Sequence, residues 1–212
     1  MSDLVVLASG SPRRRQLMSI AGIEYIPVVS QAAEDPDDPV GNADLKLEAV
    51  AADVGADRSI VAADTVVRHG SQLLGKPADH ADAISMLTSM SAKRVEVVSA
   101  LAVRHRGIVR RSIDVTGLRL RALEEAEIAA YVATGASDDK AGALEVQGAA
   151  AHFVERIEGC FANVLGLPLA TTAEFLDRST GNPCLTSRAR PCPLCNVDWP
   201  RRDWQAGQPA TP

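Results

Sequence analysis

The chain has 212 residues, of which 46% are hydrophobic, enough to bury a sizeable core and to exclude disorder throughout. Its apolar stretches fall short of the roughly 18 residues that a membrane span needs, and Met1-Ser2-Asp3 leads into a short strand rather than a basic leader segment, so the expected location is the cytoplasm. A net charge of −5 argues against bulk binding to nucleic acid or to a membrane surface.

That total hides a split. From Arg178 onward five arginines face two aspartates, giving the tail +3 and the first 177 residues −8. The same tail holds six of the twelve prolines, both tryptophans and three of the four cysteines, which places a domain boundary near Arg178. Residues 1–177 are therefore read as the folded body and 178–212 as a basic, Pro/Cys/Trp-containing tail, flexible or partly ordered. Cys184, Cys192 and Cys195 offer three zinc ligands where four are usual, so zinc in the tail is the lesser alternative, beside a redox pair.

Within the body, Leu4 to Ala8 reads as a strand, and Ser11 with Pro12 opens a helix through about Ala21. Glu24 to Val29 is a second strand, Glu34 to Pro39 an acidic loop, and Asn42 to Val54 an alanine-rich helix. Ile60 to Val67 is a β-branched strand with one carboxylate, Asp64, and His69-Gly70-Ser71 is a hairpin turn. Asp79 to Met90 has helical spacing. Two long strands, Val95 to Val103 and Gly107 to Leu120, join at Arg104-His105-Arg106-Gly107. A helix follows from Glu124 to Thr134, then a strand from His152 to Ile157 and a last helix from Ala162 to Asp177 across Pro168. Hairpins and crossovers together predict an α/β fold with a mixed sheet flanked by helices.

The first turn is a candidate anion site. Ser9, Gly10 and Ser11 supply hydroxyls and amides at a helix N-terminus, and Arg13, Arg14 and Arg15 follow; an ordinary capped helix with a basic surface is the competing reading. Asp64 lies inside an apolar strand, where a lone carboxylate is costly unless paired or ligating, which favours a general base or metal ligand over a turn cap. Lys76 in Leu-Gly-Lys-Pro could reach a phosphate, Lys46 lies within a helix, and Gln147 can both donate and accept at a base edge. The four histidines lack metal-ligand spacing, and Cys160 has no indicated histidine partner.

Taken together, Leu7-Ala8-Ser9-Gly10-Ser11-Pro12-Arg13-Arg14, Lys46-Leu-Glu-Ala-Val-Ala, Ala63-Asp64-Thr65-Val66-Val67, Leu74-Gly75-Lys76-Pro77, Asp139-Lys140-Ala141-Gly142-Ala143, Gln147-Gly148 and Val154 to Leu169 resemble the Maf family of nucleoside triphosphate pyrophosphatases in order and spacing. The resemblance implies an inosine triphosphatase-like fold with two lobes around a cleft. It also implies hydrolysis of a nucleoside triphosphate substrate to the monophosphate and pyrophosphate with a divalent metal, Mg²⁺ or Mn²⁺. Asp64 would be the proton acceptor and, with Glu34, a metal ligand, while Ser9, Arg13, Arg14, Lys46 and Lys76 would hold phosphates. Arg13, Thr65 and Gln147 occupy the positions that distinguish subfamilies and resemble the dTTP/UTP-cleaving branch, in a housecleaning role; a homodimer is left open. The alternative within the family is a nucleotide-binding regulator of cell division or septum formation. Two departures stand out: Val95 replaces a common histidine, and Leu144-Glu145 puts a negative charge two residues from Gln147.

Overall fold

A computed structural model describes residues 4–55 and 57–178. The tail beyond Arg178, including Cys184, Cys192 and Cys195, lies outside the described residues. The sequence condenses into seven strands and six α-helices among those residues, in the order β1 (Val5–Leu7), α1 (Pro12–Ile20), β2 (Tyr25–Pro27), α2 (Pro39–Val54), β3 (Ile60–His69), β4 (Gln72–Leu74), α3 (His80–Met90), β5 (Arg94–His105), β6 (Ile108–Leu120), α4 (Glu125–Ala133), β7 (Val154–Glu158), α5 (Phe161–Val164) and α6 (Leu169–Phe175).

The strands form one sheet in the order β2-β1-β3-β5-β6-β7, with β4 on β3. β1 pairs in parallel with β2 and β3, whereas β3–β4 and β6–β7 are antiparallel, so the sheet is mixed as expected from the alternation of hairpins and crossovers. No helix among the described residues is long and apolar enough to cross a membrane.

The described residues divide into two compact units. One takes in the chain up to Thr65, Val98–Val115 and the segment from Cys160; the other takes in Val66–Val97 and Thr116–Gly159. In the first unit β3 is covered on both faces. Val61 and Ala63 join Leu17 and Met18 of α1 and Leu169 and Ala173 of α6 in one apolar cluster. Ile60 and Ala62 join Ala43, Leu47 and Val50 of α2 in another. Alternation along a strand requires this division, because successive side chains leave opposite faces. It also decides where the next two residues go: Asp64 shares the face of α2, and Thr65 the face of α1.

In the second unit, α3 packs against α4 and a one-turn 3-10 segment, Ala141–Ala143. Tyr131 meets Phe153 edge-on at 5.1 Å and donates its hydroxyl hydrogen to the Ala143 carbonyl at 2.8 Å. Gly142 makes this turn feasible. Its φ is +60°, and a Cβ there would lie 2.8 Å from Val67 Cγ2. Gly142→Ala therefore combines left-handed strain with overpacking, and should destabilise the fold by about 2–4 kcal/mol. A lower urea midpoint with unchanged m would register that loss.

The local signals place most elements within a few residues. α2 starts earlier than its alanine-rich run because Pro39 takes the first helical position and Asp38 Oδ1 accepts the Gly41 amide at 2.8 Å. Ser11 caps α1 and Asp79 caps α3 as expected. The residues from His152 to Phe153 belong to a 3-10 turn, and the strand starts at Val154. The last expected helix, from Ala162 to Asp177, is corrected to two, α5 and α6. Gly166 adopts φ +100° and Pro168 has no amide hydrogen, so the helical ladder cannot continue between them.

Candidate functional site

On the α2 face of β3, Asp64 is only 8% exposed and Lys46 only 7%. Lys46 Nζ donates to Asp64 Oδ1 at 2.7 Å and forms an ion pair with Glu34 Oε2 at 3.0 Å. Asn42, one turn before Lys46 and on the same helix face, donates from Nδ2 to Asp64 Oδ2 at 3.0 Å. Asn42 is itself fixed, since its Oδ1 accepts the Asp35 amide at 2.8 Å and its Nδ2 also reaches the Asp35 carbonyl at 2.6 Å. A buried carboxylate is thus oriented by two donors, with lone pairs of both oxygens unspent.

Across the strand, Arg14 reaches Thr65. Leu17 and Met18 anchor α1 in the core, and Arg14 lies three and four residues before them on the same side. Its Nε donates to the Gly166 carbonyl at 2.7 Å, Nη1 to Ser9 Oγ at 3.3 Å and Nη2 to Thr65 Oγ1 at 3.1 Å. All three acceptors are neutral, and three of the five guanidinium hydrogens are used, which leaves donors for an anion. Burial lowers the Arg14 pKa from its ordinary value; the charges of Asp64 and Glu34 oppose that shift, and Arg13 reinforces it.

Of the three consecutive arginines, Arg14 turns inward and Arg15 folds back, its Nη2 donating to the Gly10 carbonyl at 3.1 Å. Arg13 is half-buried. Ser9 is buried, and its Oγ accepts the Ser11 amide at 3.2 Å in addition to Arg14.

The first unit therefore brings together Ser9, Arg14 and Thr65 on one face of β3, and Glu34, Lys46 and Asp64 on the other. Arg13 also lies in the first unit, whereas Lys76 and Gln147 belong to the second. Lys76 is exposed and ion-paired with Asp139 Oδ1 at 2.6 Å. Gln147 has its side-chain Oε1 buried without a hydrogen-bond partner. Glu145 Oε2 accepts the Ala149 amide at 3.2 Å and so closes its own turn.

Sequence reasoning missed Asn42, Ser99, Asn163 and Gly166. Asn42 carried a signal, being four residues before Lys46 and so on the same helix face. Gly166 carried one as well, two residues before a proline. Ser99 and Asn163 carried none, because their partners are set by strand pairing and helix docking.

Among the described residues no group of three or more His, Cys, Asp or Glu side chains is arranged to hold a metal ion. Glu34 and Asp64 nevertheless converge on one Lys46 ammonium, so two carboxylates share a single positive charge. That donor set suits Mg²⁺ or Mn²⁺, hard ions commonly held by one or two carboxylates together with substrate phosphates and water.

The two faces of β3 thus carry a buried aspartate–lysine pair and an arginine held by three neutral acceptors. The chain belongs to the Maf-like protein family, which matches residues 4–179. It is similar to a dTTP/UTP pyrophosphatase of Geobacter sulfurreducens, 42% identical over 183 residues that cover 82% of this chain and 95% of that protein. A dTTP/UTP pyrophosphatase of Deinococcus radiodurans is 40% identical over 178 residues, 81% of this chain and 91% of that protein. One of Cupriavidus metallidurans is 38% identical over 193 residues, 83% of this chain and 96% of that protein.

Proposed function

We propose that the chain is a nucleoside triphosphate pyrophosphatase that cleaves dTTP and UTP between the α and β phosphates, within a catalytic domain of residues 1–177. The observation that carries this reading is the buried Asp64, held by Lys46 and Asn42 beside Glu34, in a chain whose relatives over most of its length are named dTTP/UTP pyrophosphatases.

Asp64 accepts the proton of the attacking water. Its burial and its two donors hold it in one orientation, as a general base requires. Arg14, with Arg13 and Ser9, binds phosphate oxygens, its guanidinium plane fixed in advance by three acceptors so that little reorganisation remains at the moment of reaction. Lys46 shifts from its carboxylates toward phosphate charge as the substrate enters, and Lys76 exchanges Asp139 for the leaving pyrophosphate. Glu34 and Asp64 would hold Mg²⁺ or Mn²⁺ together with phosphate oxygens; the bound ion supplies charge neutralisation at the phosphates.

Arg13, Thr65 and Gln147 are the residues we assign to specificity. A buried, unpartnered acceptor at Gln147 suits a base with an N3–H donor, as thymine and uracil have. The test is a nucleotide panel with Mg²⁺ or Mn²⁺, scored for pyrophosphate and for orthophosphate. Pyrophosphate from UTP and dTTP, lost on adding a chelator, is the expected result. Orthophosphate release, or tight nucleotide binding without turnover, would reject it.

A further inference from the structure

Thr65 has one hydroxyl hydrogen and two acceptors within reach, Ser99 Oγ at 2.9 Å and the Gly166 carbonyl at 3.4 Å. The Gly166 carbonyl already accepts Arg14 Nε at 2.7 Å. The shorter and less contested partner is Ser99. Arg14 Nη2 can only donate, so it occupies the Thr65 oxygen and leaves the Thr65 hydrogen to point at Ser99. Ser99, which is fully buried on β5, then sends its own hydrogen to the Asn163 carbonyl at 3.3 Å.

Asn163 is fixed as well. It is fully buried, and its Nδ2 donates to the Asp114 carbonyl of β6 at 3.2 Å. The Asp114 carboxylate accepts hydroxyls from Thr171 at 3.0 Å and Ser112 at 2.9 Å. The chain of donors runs one way, from Arg14 through Thr65 and Ser99 to a backbone carbonyl on α5. Hydrogen bonds aligned in this manner polarise one another.

We propose that Ser99 is a positioning residue. By taking the Thr65 hydrogen it keeps the Thr65 oxygen turned toward Arg14, and so sets the plane in which Arg14 presents its remaining N–H groups to phosphate. Thr65 then acts on the substrate through Arg14, not as a donor of its own. The inference rests on the proposed pyrophosphatase reading for its kinetic consequences, but not for its structural ones.

The experiment combines kinetics with NMR of the Arg14 side chain in the full chain. Ser99→Ala should lower kcat about five- to tenfold, the loss of one hydrogen bond that orients a catalytic group. In a Thr65→Val background, where the relay is already cut, the same substitution should cost less than about twofold, because the two residues act as a unit. Exchange of the Arg14 Nε–H with solvent should speed up about tenfold in Ser99→Ala. Ser99→Cys, which keeps the bulk but replaces the hydroxyl with a weak donor, should reproduce both effects and covers the case in which alanine fails to fold. An equal cost in both backgrounds, or unchanged Nε–H exchange, would overturn the proposal. If the wild-type chain releases no pyrophosphate from any nucleotide, the functional reading fails, and the exchange measurement still decides the role of Ser99.

Discussion

Asp64→Asn should reduce pyrophosphate release by about 10³-fold or more while leaving the fold in place. The substitution preserves shape, and its one amide oxygen can keep the Lys46 bond that Asp64 Oδ1 accepts, while the amide NH2 takes the place of Oδ2 opposite Asn42; it cannot take a proton from water. Lys46 would retain Glu34 as its counter-charge at 3.0 Å, so the stability loss should stay near 1–2 kcal/mol. The two quantities separate the roles of Asp64. Steady-state kinetics with UTP or dTTP would give the first and a denaturant titration the second; undiminished turnover would remove Asp64 from the mechanism.

Lys46→Met should show the opposite balance of stability and contact. Methionine has comparable length and no charge, so Asp64, 8% exposed, would be left with Asn42 alone. Half-exposed Glu34 can turn to water, whereas Asp64 cannot. Removing one partner of a buried pair costs about 3–5 kcal/mol, which for a domain of this size lowers Tm by roughly 10 °C. Activity should fall as well, since the cation that meets the phosphates is gone. The cause is checked with the double variant: Lys46→Met with Asp64→Asn removes the uncompensated charge and should recover most of the lost stability. Additive losses in the double variant would show that Lys46 stabilises through packing of its methylenes instead.

Much of this site can be read from the residues themselves, and the reason is local. Ser11-Pro12 specifies the start of α1 through a cap and a fixed φ, so the first turn and its arginines are placed before any tertiary contact is known. Asp64 announces itself because a carboxylate inside a β-branched run has to be compensated. The identity of the compensating groups is tertiary information. That Asp64 meets Lys46, and Thr65 meets Arg14, follows from which face of β3 each helix covers, and one sequence does not state that. The last helix was misread for a related reason. Apolar spacing continues through Leu165 and Leu167, while the break depends on Gly166 taking a positive φ that brings its carbonyl to Arg14.

Attack at the α phosphorus is tested most directly by hydrolysis of UTP or dTTP in water labelled with heavy oxygen. After one turnover the label should reside in the nucleoside monophosphate, with the pyrophosphate unlabelled. Label in the pyrophosphate, or labelled orthophosphate with a nucleoside diphosphate, would contradict it.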